Sequence, residues 1–227
     1  MNFDKTWEKN VYSKGQQLNR YPYTDLVSYV YKFYGSKINS GKVLRVLEVG
    51  FGAGNNILFF AREGFETYGI EGSSSAHGFA VQRLKDAGLS AELIIGDFVS
   101  LPYNNDFFDL VVDREAIYAN TPHSIRKTIE EIRRVLKSGG RFITFMYSLD
   151  HGSRLLDEGR LVDSNTYVFE QGKFAGAGTT HFFSKEEIQD EYLKGFEIQL
   201  MRHISVEKVI PEQRNEYAEY HVCALKK

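Results

Sequence analysis

The chain has very little cysteine: Cys223 is the single one among 227 residues. This excludes an intrachain disulfide and a cysteine-rich zinc site, and it is typical of a reducing, cytoplasmic environment. No apolar run approaches the ~20 residues of a membrane span, and residues 1–5 carry no apolar signal stretch. The net charge of -2 disfavours a nucleic-acid surface, which is usually basic. We therefore expect a cytoplasmic globular protein that binds neither membrane nor nucleic acid.

Short β-branched segments alternate with helical patterns along the first two thirds of the chain. The predicted helices are 22–34, ended by Gly35, 55–63, 73–87 and 122–137, and the predicted strands are 43–49, 66–71, 91–96, 107–113 and 141–147. This alternation indicates a parallel sheet with right-handed crossovers. A helix at 184–193 and strands near 196–204 and 216–225 follow, the last two joined too closely for a long crossover helix, which favours antiparallel pairing.

The organisation along the chain suggests one α/β domain over residues 1–227. An N-terminal arm and helix, residues 1–35, precede the first strand. A Gly-rich, weakly periodic insertion, residues 149–182, follows the fifth strand. We expect the arm to act as a lid and the insertion as a cap over a substrate.

The strongest motif is the run Glu48-Val49-Gly50-Phe51-Gly52-Ala53-Gly54-Asn55 between a buried strand and a helix. Glycines permit a sharp turn and close approach of a ligand, although an ordinary strand–helix turn looks similar. The dinucleotide pattern G-x-G-x-x-G is not matched, because Asn55 takes the sixth position. The carboxylate of Glu48 suits a ligand that carries positive charge better than it suits a pyrophosphate.

Two further strand ends carry groups that could bind a nucleoside. Glu71 ends the second strand, where an acidic residue can accept both ribose hydroxyls, or can simply stabilise the helix N-terminus that begins near Ser73. Asp97 ends the third strand and could accept from an adenine amino group, with Phe98 stacking beside it. An Asx-turn is the alternative for Asp97. All these positions lie at carboxyl ends of parallel strands, where such sheets bind ligands.

With these residues identified, the chain resembles the class I S-adenosylmethionine-dependent methyltransferases of the small-molecule type. Glu48 and the three glycines look like the first motif of that family, residues 108–113 like its fourth-strand motif, and residues 136–142 like its entry to strand five. The resemblance implies a Rossmann-like, seven-stranded mixed sheet in the order 3-2-1-4-5-7-6 with strand 7 antiparallel. It implies S-adenosylmethionine as cofactor and S-adenosylhomocysteine as product. The expected cofactor-binding residues are Glu48, Gly50, Gly52, Gly54, Asn55, Glu71, Gly72, Ser73, Asp97, Phe98, Asp113 and Arg114.

Methyl transfer needs alignment of the acceptor with the methyl group, and a hydroxyl acceptor needs a base. The candidate catalytic residues are Asp113, His123 and His181, each with an alternative: a turn cap for Asp113 and a surface position for the histidines. The tyrosine-rich arm suggests acceptor contacts, and the candidate substrate-binding residues are Tyr12, Arg20, Tyr21, Tyr23 and Tyr118. The histidines show no spacing of a metal triad, so no metal is expected.

The sequence thus predicts methyl transfer to a small polar metabolite, with a sugar hydroxyl as the favoured acceptor. The short arm and insertion suit a small molecule better than a protein partner. An N-methyltransferase acting on a small amine, an NAD(P)-binding oxidoreductase and a catalytically silent cofactor-binding protein remain alternatives. Monomer and homodimer are equally compatible with the sequence.

Overall fold

The structure, a computed structural model, describes residues 5–211 and 213–227, with the side chains of residues 213–215 left aside. Ten strands are present in this part of the chain: β1 (Arg45–Val49), β2 (Glu66–Glu71), β3 (Glu92–Ile95), β4 (Phe108–Arg114), β5 (Leu136–Tyr147), β6 (Gly159–Asp163), β7 (Thr166–Phe169), β8 (Thr179–His181), β9 (Phe196–Lys208) and β10 (Gln213–Lys226). Seven of them form one sheet in the order β3-β2-β1-β4-β5-β10-β9. β10 is antiparallel to both of its neighbours, and the other pairs are parallel. The predicted order 3-2-1-4-5-7-6 is confirmed.

Six α-helices accompany the strands: α1 (Thr6–Asn10), α2 (Thr24–Asn39), α3 (Asn55–Arg62), α4 (Ser74–Ala87), α5 (Pro122–Val135) and α6 (Gly152–Leu156). A 3₁₀ turn covers Tyr12–Lys14, and a π-helical segment covers Glu187–Tyr192. The prediction that Gly35 ends α2 is wrong. Gly35 is buried inside the helix, and a Cβ built on it would lie 3.4 Å from the Tyr31 ring, so it serves close packing.

The two faces of the sheet are covered by different helices. Because alternate residues of a strand point to opposite faces, Val111 packs on the side of α5 while Leu110 and Val112 pack on the side of α2. The buried stripe of α5 is Ile125, Ile129 and Ile132, as its helical spacing predicts. This sandwich leaves the carboxyl ends of β1 to β4 free of helix cover, at the edge where the glycine loop lies.

The insertion contains β-structure that the sequence pattern did not predict. β6, β7 and β8 form a small antiparallel sheet, and Phe182 at its end packs on Tyr147 of β5. The backbone N–H of His181 donates to the carbonyl of Tyr118 at 2.9 Å, which joins the small sheet to the loop after β4. The three strands are only three to five residues long, too short for a clear period-2 signal.

Within the described residues, no helix combines the length and apolar character needed to cross a bilayer. The same part of the chain holds no group of three or more His, Cys, Asp or Glu side chains placed to bind a metal ion.

Candidate functional site

Two cavities open at the carboxyl ends of the parallel strands. The first measures about 100 Å³ and lies beside the ends of β2 and β3, where its lining includes Glu71, Gly72, Ser73, Asp97 and Phe98. The second measures about 390 Å³ and extends from the glycine loop to the insertion. Four residues line both cavities: Trp7, Tyr12, Gly50 and Glu115. The sequence-predicted residues are therefore distributed over two adjoining spaces with a common wall.

The glycine loop depends on positive backbone φ angles. Gly50 has φ +67°, and a Cβ there would lie 2.2 Å from the Cβ of Ala116. Gly52 has φ +52°, and its Cβ would lie 2.6 Å from the hydroxyl of Tyr12. Side chains at these positions would both strain the backbone and fill the space beside the cavities. Gly54 also has a positive φ and immediately precedes α3.

Glu71 ties the end of β2 to the glycine loop. Its Oε2 accepts from the backbone N–H of Gly52 and its Oε1 from that of Ser73, both at 2.9 Å. The side chain is buried, and burial raises the pKa of its carboxyl. Ser73 in turn caps α4, because its Oγ accepts from the N–H of Ala76 at 3.0 Å. Glu71 therefore binds a helix N-terminal amide and also lines the first cavity, and its role toward a ribose stays a prediction.

Asp97 and Phe98 follow β3 and form the far wall of the first cavity. The Oδ1 of Asp97 accepts from the N–H of Val99 at 3.0 Å, which is the Asx-turn considered from the sequence. Since the carboxylate also faces the cavity, this turn fixes a carboxylate and an aromatic ring side by side at one end of it.

Glu48 of β1 places a carboxyl group in a nearly dry position at the second cavity. The residue is 2% exposed, and its Oε1 accepts from Asn56 Nδ2 at 2.7 Å. Its Oε2 has no hydrogen-bond partner among the described residues. Burial, with lesser contributions from the negative charges of Asp113 and Glu71, raises the pKa of Glu48 to about 8. A cationic group placed in this cavity would find an unsatisfied acceptor here.

Arg114, at the end of β4, is held in a partly buried ionic network, of which the sequence suggests only the pairing with the adjacent Glu115. Its guanidinium pairs with Glu115, which follows it, and lies 3.4 Å from Glu219 of β10. Glu219 then contacts Nε2 of His221 at 2.5 Å, and the Nδ1 of that ring lies 2.8 Å from the hydroxyl of Tyr29. The available signal was the spacing of two polar residues, Glu219 and His221, which alternate along β10 and therefore share one face of it.

The N-terminal arm forms the outer wall of both cavities. Glu8 of α1 receives hydrogen bonds from Ser75 N at 3.0 Å and Ser75 Oγ at 2.7 Å, and one from Ser73 Oγ, so the arm docks on the N-terminus of α4. Tyr23 lines the second cavity, while Asn55 Nδ2 donates to the carbonyl of Tyr21 at 3.0 Å. The arm covers the cavities as a lid would, and its lid function stays a prediction.

Three of the predicted site residues are exposed and lie away from both cavities. Arg20 and Tyr21 are exposed and line neither cavity, since the arm turns them to solvent. His123 is likewise exposed in the first turn of α5 and lines neither cavity. The structure thus places these three side chains outside both cavities, and their assignment to the site stays a prediction.

Asp113 and His181 are fully buried structural residues. Asp113 Oδ1 accepts from the N–H groups of Ala116 and Ile117, and its Oδ2 accepts from Thr144 Oγ1 at 2.6 Å. Burial raises its pKa to about 6, but its carboxyl shapes the loop after β4 and lines no cavity. His181 Nδ1 lies 2.8 Å from Thr166 Oγ1, and its Nε2 lies 3.3 Å from Glu187. Neither residue is placed to act as the catalytic base.

The remaining wall of the second cavity combines the loop after β4 with the insertion. Tyr118, predicted for substrate binding, lies here, and its ring centroid is 4.5 Å from that of Tyr147. Lys173 and Phe174 of the insertion complete the wall. The sequence analysis did not single out Tyr147 or Lys173, since neither occurs in a motif.

Comparison with known proteins also indicates a methyltransferase domain. Residues 46–140 match a family described as a methyltransferase domain. The uncharacterised methyltransferase YcgJ of Bacillus subtilis is 33% identical over 100 residues, which is 44% of this chain and 39% of the relative. The chain thus matches well under half the length of that curated relative.

Two solved structures share the fold. The PH0226 protein from Pyrococcus horikoshii OT3 has a TM-score of 0.69 at 19% identity, covering 100% of both chains. The 1,6-didemethyltoxoflavin-N1-methyltransferase of Burkholderia thailandensis, solved with its substrate and S-adenosylhomocysteine, has a TM-score of 0.69 at 15% identity over 95% of this chain and 84% of that one. Identities this low establish the fold alone.

The strand order, the motifs and the family match over residues 46–140 make the chain similar to the class I S-adenosylmethionine-dependent methyltransferases. S-adenosylmethionine is the cofactor of this family, and the residues present fit it. The unsatisfied, buried Oε2 of Glu48 suits its cationic amino-acid end, and Glu71 with Asp97 lines a space suited to its nucleoside.

Proposed function

We propose that this protein transfers a methyl group from S-adenosylmethionine to a small polar metabolite, with a sugar hydroxyl as the first acceptor class to test. The observation that carries the proposal is the pair of adjoining cavities. The first is lined by the nucleoside-compatible residues Glu71 and Asp97, and the second continues from Glu48 to Tyr118 and the insertion. Its volume of about 390 Å³ lies within the range of small-molecule pockets.

The bound cofactor supplies an electrophilic methyl group on a sulfonium, and this chain supplies position and shielding. Glu48 would hold the cationic amino-acid end, and Glu71 the ribose hydroxyls. Tyr12, on the common wall, would keep water away, and the electron-rich face of such a ring favours a nearby cation. Alignment of two reactants in a closed space can by itself lower a barrier by several kcal/mol.

The proton of a hydroxyl acceptor has few places to go. No histidine is among the described residues that line either cavity. Glu115, on the common wall, has a pKa lowered to about 2, chiefly by Arg114 against the opposing effect of burial, and is therefore an ionised but weak base. This supports a mechanism dominated by positioning, in which the hydroxyl proton passes to solvent water as the methyl–oxygen bond forms and the methyl–sulfur bond breaks.

A small amine is the second acceptor class, and the same observation favours it. A neutral amine attacks with its own lone pair and loses a proton to water after transfer, so a lining without histidine would not hinder it. The two classes differ in the pH dependence of kcat, because the amine must first be deprotonated in solution or in the cavity.

Calorimetry and a transfer assay test the proposal. We expect S-adenosylhomocysteine to bind more tightly than NAD, and we expect methyl-labelled S-adenosylmethionine to label a member of a panel of sugars, amines and their acidic derivatives. Tight binding of NAD without binding of S-adenosylhomocysteine would favour an oxidoreductase. Binding of S-adenosylhomocysteine with no labelled product from the panel or from a whole metabolite extract would indicate a silent binding protein.

A further inference from the structure

Lys173 stands out in the second cavity as a cation without a carboxylate partner. It lies on the loop between β7 and β8, and as a residue it is exposed at the edge of the cavity. Its Nζ lies 4.8 Å from the ring centroid of Tyr217, 5.4 Å from that of Tyr147 and 5.6 Å from that of Phe174. No carboxylate of the described side chains forms an ion pair with it, so its charge is directed at rings and at the cavity.

The other charges nearby are already engaged. Arg114, the second cation of this lining, is paired with Glu115 and Glu219, and Glu115 also accepts from the hydroxyl of Tyr217. Partial burial lowers the pKa of Lys173, with the negative charges of Glu115 and Glu219 acting in the opposite direction. The ammonium is therefore incompletely compensated, and an anion brought into the cavity would complete the charge balance.

The loop that carries Lys173 is held on both sides. Gly172, with φ +77°, leaves no room for a side chain because the carboxyl group of Asp157 occupies that place. On the other side, Asn10 of the arm donates through Nδ2 to the carbonyl of Gly176 at 2.9 Å. Three aromatic rings then lie around the end of the side chain itself. A charge whose position is set before binding loses less entropy when a ligand arrives.

We propose that Lys173 anchors an anionic group of the acceptor, a carboxylate or a phosphate monoester, so that the substrate is an acidic small metabolite. The inference rests on the proposed function, since it names the acceptor class of the same site. The ammonium selects the acceptor by charge, while Tyr118 and Tyr147 on the same wall present the rings against which its uncharged part packs.

The first experiment identifies the charge of the labelled product. Wild-type protein is incubated with methyl-labelled S-adenosylmethionine and a metabolite extract, and the products are separated by anion exchange at neutral pH. We expect the label in the retained, anionic fraction. Alkaline phosphatase then distinguishes a phosphate monoester from a carboxylate. It removes the phosphate from a labelled phosphate monoester, so the label moves to the neutral fraction, whereas a labelled carboxylate stays in the anionic fraction.

Label confined to neutral or cationic products would overturn the role of Lys173 and leave the methyltransferase proposal standing. No labelled product in any fraction, with S-adenosylhomocysteine still bound, would remove the proposed function and this inference together.

The second experiment uses Lys173→Gln, with Lys173→Arg and the exposed Lys185→Gln as companions. The substrate is the acceptor whose labelled product is retained on the anion exchanger. We expect Lys173→Gln to raise the KM for this acceptor at least tenfold, and Lys173→Arg to bring the KM most of the way back to the wild-type value. Lys185→Gln should have the wild-type KM. The KM of wild type should also rise with salt, and that of Lys173→Gln should not. An unchanged KM in Lys173→Gln would contradict the proposal. Tenfold weaker binding of S-adenosylhomocysteine to this variant, without a change in KM for the acceptor, would also contradict it, because the ammonium would then serve the cofactor.

Discussion

The guanidinium of Arg114 lies 4.2 Å from the centre of the Tyr23 ring, so the end of β4 and the N-terminal arm meet in a cation–π contact. The same guanidinium pairs with the partly buried Glu115 and the buried Glu219. One side chain therefore connects the arm, the sheet and the wall shared by the two cavities.

Replacing Arg114 by Met should destabilise the protein strongly. The substitution leaves the buried carboxylate of Glu219 and the partly buried carboxylate of Glu115 without their cation, and breaking a buried pair in this way typically costs about 3–5 kcal/mol. Arg126→Met is the matched control, because Arg126 pairs with Glu191 at the surface, where both side chains are nearly half exposed. That pair should be worth about 0–1 kcal/mol. Urea unfolding of the two variants measures the difference, and equal losses would contradict the importance of the network.

Replacing Gly52 by Val should abolish cofactor binding while the fold remains. The new side chain meets the hydroxyl of Tyr12 and requires a positive φ. Gly41→Val is the control, since Gly41 has φ +72° with open space around its Cβ position. Backbone strain should lower the free energy of unfolding of both variants by a similar ~1–3 kcal/mol. Calorimetry with S-adenosylhomocysteine should show at least tenfold weaker binding for Gly52→Val alone, and wild-type affinity in that variant would refute the assignment of the loop.

The raised pKa of Glu48 makes cofactor binding sensitive to pH. At pH 7 the free protein holds this carboxyl largely protonated, since its pKa is about 8. A bound ammonium group favours the ionised form, so S-adenosylhomocysteine should release up to one proton on binding. Calorimetry in two buffers of different ionisation enthalpy counts that proton. Glu48→Gln keeps the shape of the side chain and should release none.

The same group affects the stability of the free protein, and the sign follows from its pKa. A carboxyl whose folded pKa lies above its unfolded value contributes fully at low pH and loses that contribution as pH rises toward the folded pKa. Glu48 should therefore lower the free energy of unfolding progressively between about pH 4.5 and 8. Thermal unfolding at both ends of this range should show a smaller difference for Glu48→Gln than for wild type. An identical pH dependence in the two proteins would contradict the shifted pKa.

Replacing either of the two predicted catalytic histidines by alanine should not give the large loss of kcat expected for a catalytic base, and only one of the two replacements should reduce stability. His123→Ala changes an exposed side chain away from both cavities and should alter kcat/KM by less than twofold and stability by less than about 0.5 kcal/mol. His181→Ala removes the buried partner of Thr166 and Glu187 and should cost about 1–3 kcal/mol. Steady-state kinetics with chemical denaturation checks both. A thousandfold loss of kcat in a stably folded His123 or His181 variant would restore that histidine to the site.

The fold and the nucleoside-compatible residues could be predicted because their signals are local. Gly50 and Gly52 lie in the loop that directly follows β1, and Glu71 ends β2, so the sequence around each strand end is enough to locate them. The parallel order then brings those strand ends together at one edge of the sheet. The helix end at Gly35 was wrong because packing against Tyr31 outweighed the usual preference of glycine for helix ends.

The contacts of the site around the second cavity could not be predicted from the sequence, because they join residues that are distant along the chain. Glu219 reaches Arg114 across 105 positions of sequence, through the antiparallel pairing of β10 with β5. Lys173 acquires its significance only when the rings of Tyr147 and Tyr217, both distant in sequence, lie beside it together with that of the adjacent Phe174. His181 looked chemically free in sequence, and only the folded chain shows that Thr166 and Glu187 already occupy its two nitrogens.

The single cysteine has a further consequence for how this protein can be followed in solution. Cys223 lies in β10 opposite Ile143 of β5 and Leu200 of β9, fully buried, and burial raises the pKa of its thiol to about 12. Because the thiolate is the reactive form, a thiol reagent can reach it only when this part of the sheet opens. The rate of labelling in native buffer thus measures the opening of β10 directly, with no engineered probe.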